Sequence, residues 1–384
     1  MKIYQALLVL GAVGEALAGT ILPRADREPI PAKVDPLEPK FFKDLGAQRV
    51  KITYGPFAIP GSNDPETMGM VTFRQYNILM PCHDCLITGW ASDLQFVNGT
   101  SANANSNMWM HHTGLMNLNR TDLACEHWPE RIAVNGNERS PFDFTLKGTR
   151  KAGYFLRAGD EIHQTLDVMN SATTPQTVHL TMEWEFLPAV HPAFDVVVPV
   201  WLDVKGNCLN QSTGILPTDK VFTARGPAAG WTSKVAGDLV LMVPHVHDGS
   251  VRQEVFMDGK LVCANVPAYG ETAEFVTHRS AGGGGGGHDH GGGEHVYHVS
   301  SVTQCEAVGK VVPGSRFTIT SAYDMVLHEG SLDHHGEPEP IMAIEFLYIA
   351  RPQAEAVRDI LAMGPGDLQD FTDQVRGLKT PQEP

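Results

Sequence analysis

The sequence predicts an all-β protein of two antiparallel β-sandwiches with a short helical tail, and three observations support this. Short runs rich in Val, Thr, Phe and Tyr recur between turn residues along most of the chain, as is typical of antiparallel sheets. Helical spacing of apolar residues is found at the C-terminal end, at residues 353–363 and 368–378. The length of 384 residues also exceeds what one core usually fills.

The clearest strand signal lies at residues 177–186, which read Thr-Val-His-Leu-Thr-Met-Glu-Trp-Glu-Phe. Alternation with a period of two indicates a strand that has one face in a core. The same pattern recurs at residues 71–76, 196–202, 239–243, 251–257, 317–322 and 341–349. Residues 257–260, Met-Asp-Gly-Lys, predict a hairpin turn, because Asp-Gly favours the left-handed backbone of tight turns.

The N-terminus has the pattern of a secretory signal peptide. Lys2 precedes a short apolar run, and residues 16–18 read Ala-Leu-Ala, which is a typical cleavage site. The run is shorter than the roughly 20 residues that a membrane anchor requires. We therefore expect a secreted protein divided into a signal peptide (1–18), a loose leader (19–45), a first sandwich (46–203), a second sandwich (204–352) and a helical tail (353–384).

The cysteines fit an oxidising compartment, because their number is even. They are Cys82, Cys85, Cys125, Cys208, Cys263 and Cys305. We predict a disulfide between Cys263 and Cys305, since both flank strands of the second sandwich, and closing such a loop stabilises by about 4 kcal/mol in the chain-entropy model. The other four cysteines allow three connectivities. Three sequons predict glycosylation at Asn98, Asn119 and Asn210.

Charge and low complexity restrict the partners. The formal net charge of −15 argues against nucleic acid or an anionic membrane surface as a partner, and the oligomeric state stays open. Residues 282–293 contain nine glycines around His288-Asp289-His290. Such a segment cannot pack a core, so we expect a mobile loop that binds metal weakly at most.

Three motifs could bind a metal ion. Adjacent residues on a strand point to opposite faces, so His111 and His112 could share one ion only where the strand bends or ends. His245 and His247 follow an apolar run and project from the same face of a strand, where they can converge on one ion. Met342 lies in the last apolar run. Surface histidines and a core methionine are the ordinary alternatives.

The order of these motifs resembles the copper type II, ascorbate-dependent monooxygenases, the peptidylglycine α-hydroxylating and dopamine β-hydroxylating enzymes. The second half is also similar to the stress up-regulated nodulin-related family. That similarity is carried by residues 245–247, 258–263, 266–270, Cys305 and residues 341–349. The resemblance covers residues 105–350 and implies two jelly-roll-like sandwiches that face each other across a cleft, with one copper on each.

In the resembling monooxygenases, the first copper is held by three histidines and passes an electron. The resemblance assigns His111 and His112 to that site. His163 is the preferred third ligand, and His179 is the alternative.

The second copper of those enzymes is held by two histidines and a methionine and activates dioxygen. The resemblance assigns His245, His247 and Met342 to this catalytic site, and a thioether ligand favours copper over zinc. It implies a copper-dependent monooxygenase, with one or two copper ions, that oxidises a small molecule or peptide with dioxygen and ascorbate or another reductant. The alternatives are a secreted copper-binding stress protein without catalysis and a metal-dependent lyase or cyclase.

Overall fold

A computed structural model describes residues 30–208, 214–217, 219–279, 294–331 and 338–366. Within these ranges the chain forms one α-helix, α1 (Gln353–Ala362), and short 3-10 helices at Lys43–Leu45, Ala104–Ser106 and Ala273–Phe275. The strands are β1 (Ala32–Leu37), β2 (Gln48–Ile59), β3 (Met70–Gln75), β4 (Cys85–Phe96), β5 (Met108–Thr121), β6 (Pro129–Asn135), β7 (Phe142–Asp143), β8 (Ala152–Leu156), β9 (Ile162–Asn170), β10 (Gln176–Leu187), β11 (Asp195–Asp203), β12 (Val221–Arg225), β13 (Trp231–Thr232), β14 (Gly237–Val246), β15 (Ser250–Met257), β16 (Lys260–Asn265), β17 (Pro267–Tyr269), β18 (Val276–Arg279), β19 (Glu294–Tyr297), β20 (Val299–Val302), β21 (Cys305–Val311), β22 (Arg316–Asp324) and β23 (Ala343–Arg351).

The predicted all-β, sandwich-like fold is confirmed. Each alternating run falls on a strand, and the long run at residues 177–186 is the body of β10. Its inward side chains are almost fully buried, as alternation requires, and they are Val178, Leu180, Met182, Trp184 and Phe186. Burial of one such side chain contributes about 1.5–3 kcal/mol. The Asp-Gly turn joins β15 to β16, with positive φ at Asp258 (52°) and Gly259 (77°).

The first sandwich packs two sheets around one core. One sheet has the strand order β1-β2-β10-β4-β8, and the facing sheet has the order β3-β9-β5-β6. Both contribute to a single cluster of buried apolar side chains, including Ile52 and Leu180 from the first sheet and Met108 and Leu166 from the second. This core fixes the face of β5 that points away from it, which carries the metal-binding candidates.

The second sandwich shares a sheet with the first. Strands β11-β23-β14-β21 continue the first large sheet through a parallel β8–β11 pair, and β12-β22-β15-β16 cover them on one side. The sequence analysis assigned β11 to the first sandwich, whereas in the structure β11 pairs with β23. Its successive side chains serve both cores, with Val198 and Val200 in the second and Val197 and Trp201 in the first. Strand β11 therefore contributes to the cores of both sandwiches.

The described residues near the two ends of the chain form one strand and one helix. Part of the expected loose leader, Ala32–Leu37, is strand β1, which pairs with β2. Helix α1 occupies the first predicted tail helix and buries Ala356 and Ile360 against Phe194 and its neighbours. The signal peptide, residues 282–293 and residues 368–378 lie outside the described residues.

All six cysteines are paired. Cys263 and Cys305 form the predicted disulfide, which links β16 to β21 across 42 positions of the chain. The pairs Cys82–Cys85 and Cys125–Cys208 select one of the three connectivities that the sequence left open. The second of these joins the segment between β5 and β6 of the first sandwich to the segment that follows β11.

The sequons differ in accessibility. Asn98 lies exposed in a turn, where its Oδ1 accepts hydrogen bonds from the amide and hydroxyl of Thr100. Asn119 is half-buried on β5, and its Oδ1 accepts from the Glu161 amide at 2.7 Å. Asn210 lies outside the described residues. Among the described residues, no helix has the length and apolar character needed to cross a membrane.

Candidate metal centre

A β-bulge brings His111 and His112 to the same side of β5. Met110 pairs with Val168 of β9, and His112 pairs with Asp167, so two residues of β5 face one residue of β9. The extra residue is His111. A bulge re-aims a side chain that would otherwise point to the opposite face, and the two imidazole rings lie 4.0 Å apart between centroids. This bulge meets the requirement that the strand bend where the two histidines lie.

The end of β14 supplies two more histidines. His245 pairs with Ile344 of β23, and His247 follows β14 directly, with its amide donating to the Met342 carbonyl at 3.2 Å. The period-two spacing leaves both side chains on the same face of the sheet. That face points toward the first sandwich, because Ile344 packs into the first core.

The four histidines form one cluster between the two sandwiches. His111, His112 and His247 can each place one ring nitrogen so that all three atoms lie within 4.8 Å of one another. The Nε2 atoms of His112 and His247 are 3.2 Å apart. The His245 ring centroid lies 5.0 Å from that of His112 and 5.4 Å from that of His247. We name these four residues the histidine cluster.

Each of three histidines has its Nδ1 atom held by an oxygen. His112 donates to Asp167 Oδ2 at 3.3 Å, and His247 donates to the Pro340 carbonyl at 3.0 Å. His245 donates to Glu138 Oε1 at 2.8 Å, with both side chains nearly fully buried. Metal-binding histidines are typically oriented by such partners on the second ring nitrogen. The sequence analysis missed Glu138 and Asp167, because only the folded chain brings them to these rings.

The hydrogen bonds leave Nε2 lone pairs facing one another. A neutral imidazole that donates through Nδ1 has an unprotonated Nε2. The Nε2 atoms of His112 and His247 therefore present two lone pairs at 3.2 Å, and the buried Nε2 of His245 has no hydrogen-bond partner in the described ranges. Two nitrogens bound to one ion at about 2.0–2.1 Å lie about 3.3 Å apart in tetrahedral geometry. The residues therefore fit a shared metal ion.

The pKa directions favour neutral imidazoles. Burial lowers the pKa of His111, His112 and His247 below the usual value, and neighbouring histidines lower it further. Burial would raise the pKa of Asp167, but its hydrogen bond with His112 has the opposite effect, and the pKa lies below its usual value overall. An ionised Asp167 beside neutral imidazoles suits metal binding, since the ligands must be deprotonated.

A third histidine-carboxylate pair, His298 with Asp248, holds the loop that follows His247. Asp248 accepts hydrogen bonds from His298 Nδ1 at 2.7 Å and from the Val299 amide at 2.8 Å. His298 Nε2 accepts from the Thr277 hydroxyl at 2.8 Å. The His298 ring also meets the edge of Trp109, two residues before His111, at 4.3 Å. His298 therefore contacts Trp109, which lies near His111 in the chain, and Asp248, which follows His247.

The structure brings together four of the six predicted ligands, His111, His112, His245 and His247, in the histidine cluster. His163 faces Met116, and its ring packs on Tyr76 at 4.5 Å.

His163 lies four residues from Asp167 on β9, which is about 13 Å at the rise of a strand. The alternative His179 lies on β10 in the other sheet, opposite Gln95. The structure therefore does not bring either histidine to the cluster.

Met342 lies beside the histidine cluster. Its carbonyl accepts from the His247 amide at 3.2 Å and from the Tyr323 hydroxyl at 2.5 Å. The partly buried side chain packs against the first core, on the side that also carries Ile344 and His245. Its role as a copper ligand stays a prediction.

Comparison with known proteins gives two similar curated relatives from fungi. A probable copper-dependent oxygenase of Phoma sp. is 29% identical over 311 residues, which is 80% of this chain and 74% of that protein. A probable copper-dependent oxygenase of Cochliobolus lunatus is 30% identical over 271 residues, which is 70% of this chain and 81% of that protein.

Other comparisons are less informative. PNGF-II is 8% identical with a TM-score of 0.39, covering 83% of this chain and 65% of that chain. A peptide-N(4)-(N-acetyl-β-D-glucosaminyl)asparagine amidase is 7% identical with a TM-score of 0.35, covering 79% and 97%. Neither likeness carries an argument about function. No family model matches the chain, and the nodulin-related resemblance is not shown. On the identity and coverage of the two fungal relatives, the chain belongs to the family of these probable copper-dependent oxygenases.

Proposed function

We propose that the chain is a secreted, copper-dependent monooxygenase whose histidine cluster holds copper at the junction of the two sandwiches. The observation that carries this proposal is the convergence of Nε2 lone pairs from both sandwiches, with His112 and His247 only 3.2 Å apart. Imidazole suits copper, zinc, iron and nickel. The names of the two fungal relatives, both probable copper-dependent oxygenases, favour copper among these metals.

Copper bound there would supply one-electron redox chemistry and activation of dioxygen. The role of the protein is to hold the imidazole rings in place, through their hydrogen bonds to Glu138, Asp167 and the Pro340 carbonyl. His111 and His247 are half-buried, so a substrate can approach the cluster from their side, whereas His245 is buried behind them.

The proposed reaction inserts one oxygen atom into a C–H bond of a small molecule or peptide. The other oxygen atom leaves as water, which requires two electrons and two protons from ascorbate or a comparable reductant. With one cluster in place of two separate sites, both electrons have to reach the same centre. We propose no internal second copper to store one of them.

The proposal of secretion rests on the chain's disulfides and its N-terminal sequence. Three disulfides with no free cysteine in the described residues suit an oxidising compartment. The exposed Asn98 is the sequon best placed to carry a glycan. A shift in mass after glycosidase treatment of the secreted protein would support this part of the proposal.

Oxygen consumption tests the proposed function without knowledge of the substrate. Copper-loaded protein, freed of loose copper by a chelator, is mixed with ascorbate in an oxygen-electrode cell. We expect oxygen uptake at least about tenfold above that of the His112→Ala/His247→Ala double variant, because loss of side chains that bind the ion directly should exceed the 10–100-fold effect of losing their hydrogen-bond partners.

Equal rates for the two proteins would overturn the oxygenase proposal. Tight copper binding without reductant-dependent oxygen uptake would instead support a copper-binding protein without catalysis. Oxygen-independent conversion of a substrate would support the lyase or cyclase alternative.

A further inference from the structure

The β18–β19 hairpin has a polar contact on its inner face and two histidines on its outer face. On the inner face, Thr277 donates to His298, which is bonded to Asp248 beside the histidine cluster. The next residue, His278, points to the opposite face, as successive strand residues do. His278 and His295 are both exposed there and are direct partners in the antiparallel register.

We propose that His278 and His295 form a second metal site, which binds Cu(II) or another divalent ion of similar ligand preference through two imidazoles. Their ring centroids are 4.6 Å apart and their planes are inclined by 60°, so the rings are not stacked face to face. Directly opposed residues of an antiparallel pair have Cβ atoms about 4.5–5.5 Å apart. Small side-chain rotations therefore suffice to direct one nitrogen of each ring to a shared ion.

The backbone holds the two histidines opposite each other before any metal binds. Residues 276–279 pair with residues 294–297 in unbroken register. The contact of Thr277 with His298 attaches the inner face of the hairpin to the body of the protein. A site whose ligands are already adjacent loses less conformational entropy on binding than one assembled from a flexible chain.

This site has fewer histidines than the histidine cluster, and they are more exposed. It offers two exposed imidazoles, so water completes the coordination, and we expect weaker binding than in the cluster. Zinc, nickel and copper(II) all accept imidazole, and the net charge of −15 favours cations in general. The proposal does not depend on the oxygenase function, because the exposed pair can bind metal whether or not the cluster is catalytic.

Titration of Cu(II) into the full chain tests the proposal. The first copper equivalent fills the histidine cluster, and the second is followed by calorimetry and by electron paramagnetic resonance. We expect His278→Ala and His295→Ala each to weaken the second equivalent at least tenfold. The double variant should lose no more than either single variant, because a chelate requires both rings.

Two matched controls separate this pair from other histidines. His127→Ala removes an exposed histidine on a turn of the first sandwich, and it should leave the second equivalent unchanged. His288→Ala/His290→Ala removes the histidines of the glycine-rich segment and should also leave it unchanged. All variants should keep the melting temperature of the parent protein, since His127, His278 and His295 are exposed and the sequence of the glycine-rich segment has no apolar side chain to pack in a core.

Three results would overturn the proposal. The first is an unchanged second equivalent in both single variants. The second is a loss that is additive between them, which would indicate two independent weak sites. The third is a loss in the His288→Ala/His290→Ala variant alone, which would place the second metal in the glycine-rich segment.

Discussion

The two arms of the histidine cluster reach it by different means. The arm from the first sandwich depends on a β-bulge, which turns His111 to the side of His112. The arm from the second sandwich uses the plain alternation of a strand, because His245 and His247 are two residues apart at the end of β14. A bulge is a local exception to strand geometry, whereas alternation is its rule.

The two arms also differ in the carboxylates that accept hydrogen bonds from their imidazole rings. The Glu138 side chain is 2% exposed and bonds His245 at 2.8 Å, whereas that of Asp167 is 26% exposed and bonds His112 at 3.3 Å. A hydrogen bond to a buried charge is stronger than one near water. The second arm is thus the more rigidly held, and the first arm is the more accessible.

Removal of one histidine from each arm should have the largest effect. We expect His112→Ala and His247→Ala each to weaken copper by more than about 100-fold, since even an outer partner contributes 10–100-fold. The double variant should be little worse than either, because both rings serve one ion. Copper content after dialysis measures this. Loss of one equivalent in each single variant and of two in the double would indicate separate sites.

A substitution at Gly136 should disturb the second arm alone. A Cβ atom there would lie 2.6 Å from Cε1 of His245 and 2.7 Å from Oε2 of Glu138. We expect Gly136→Ala to lower the free energy of unfolding by about 1–3 kcal/mol through overpacking. Copper affinity should fall about 10–100-fold as His245 shifts.

The matched control for this substitution is Gly364→Ala, where the Cβ would meet no described atom within 4 Å. Denaturant unfolding and copper titration measure the two effects. Parent-like copper affinity in Gly136→Ala would show that His245 does not contribute to the centre.

Replacement of the more buried carboxylate should cause the larger loss of copper affinity. We expect Glu138→Gln to weaken copper more than Asp167→Asn, with both losses within about 10–100-fold. Each amide keeps the shape of the acid and removes its charge, so the comparison isolates the charge behind each imidazole. Competitive titration against a copper chelator measures both. The reverse order would mean that the more exposed arm dominates the affinity.

Loss of the Met342 thioether should have the smallest effect, and one that depends on oxidation state. Met342→Leu keeps the apolar volume that packs against the first core and removes the sulfur. We expect Cu(I) to be weakened more than Cu(II), because the softer ion prefers the thioether. Affinities for the two oxidation states, measured separately, test this. Equal changes for both would assign Met342 to packing alone.

Sequence patterns predicted the features of the fold and of the site that depend on local strand geometry. Alternation located β10 and β23, and the spacing of His245 and His247 placed both on one face. The Cys263–Cys305 disulfide is also confirmed. These features follow from a period of two or from neighbouring strands of one sandwich, which a single sequence displays.

The rest depends on contacts between distant segments. The bulge after Met110 arises from pairing with β9, and the sequence of β5 contains no pattern that predicts it. Glu138 meets His245 across 107 positions of the chain. The parallel β8–β11 pair joins the sheets of the two sandwiches and places their histidines together. The sequence alone does not show this connection between the two sheets.

The central claim is that residues from both sandwiches hold one copper ion. Its most direct test is the stoichiometry and spectrum of tightly bound copper in the parent protein and in His163→Ala. We predict one tight equivalent per chain, coordinated by several imidazole nitrogens in electron paramagnetic resonance, with the same spectrum in His163→Ala. Two tight equivalents with distinct spectra, one of which disappears in His163→Ala, would contradict the account.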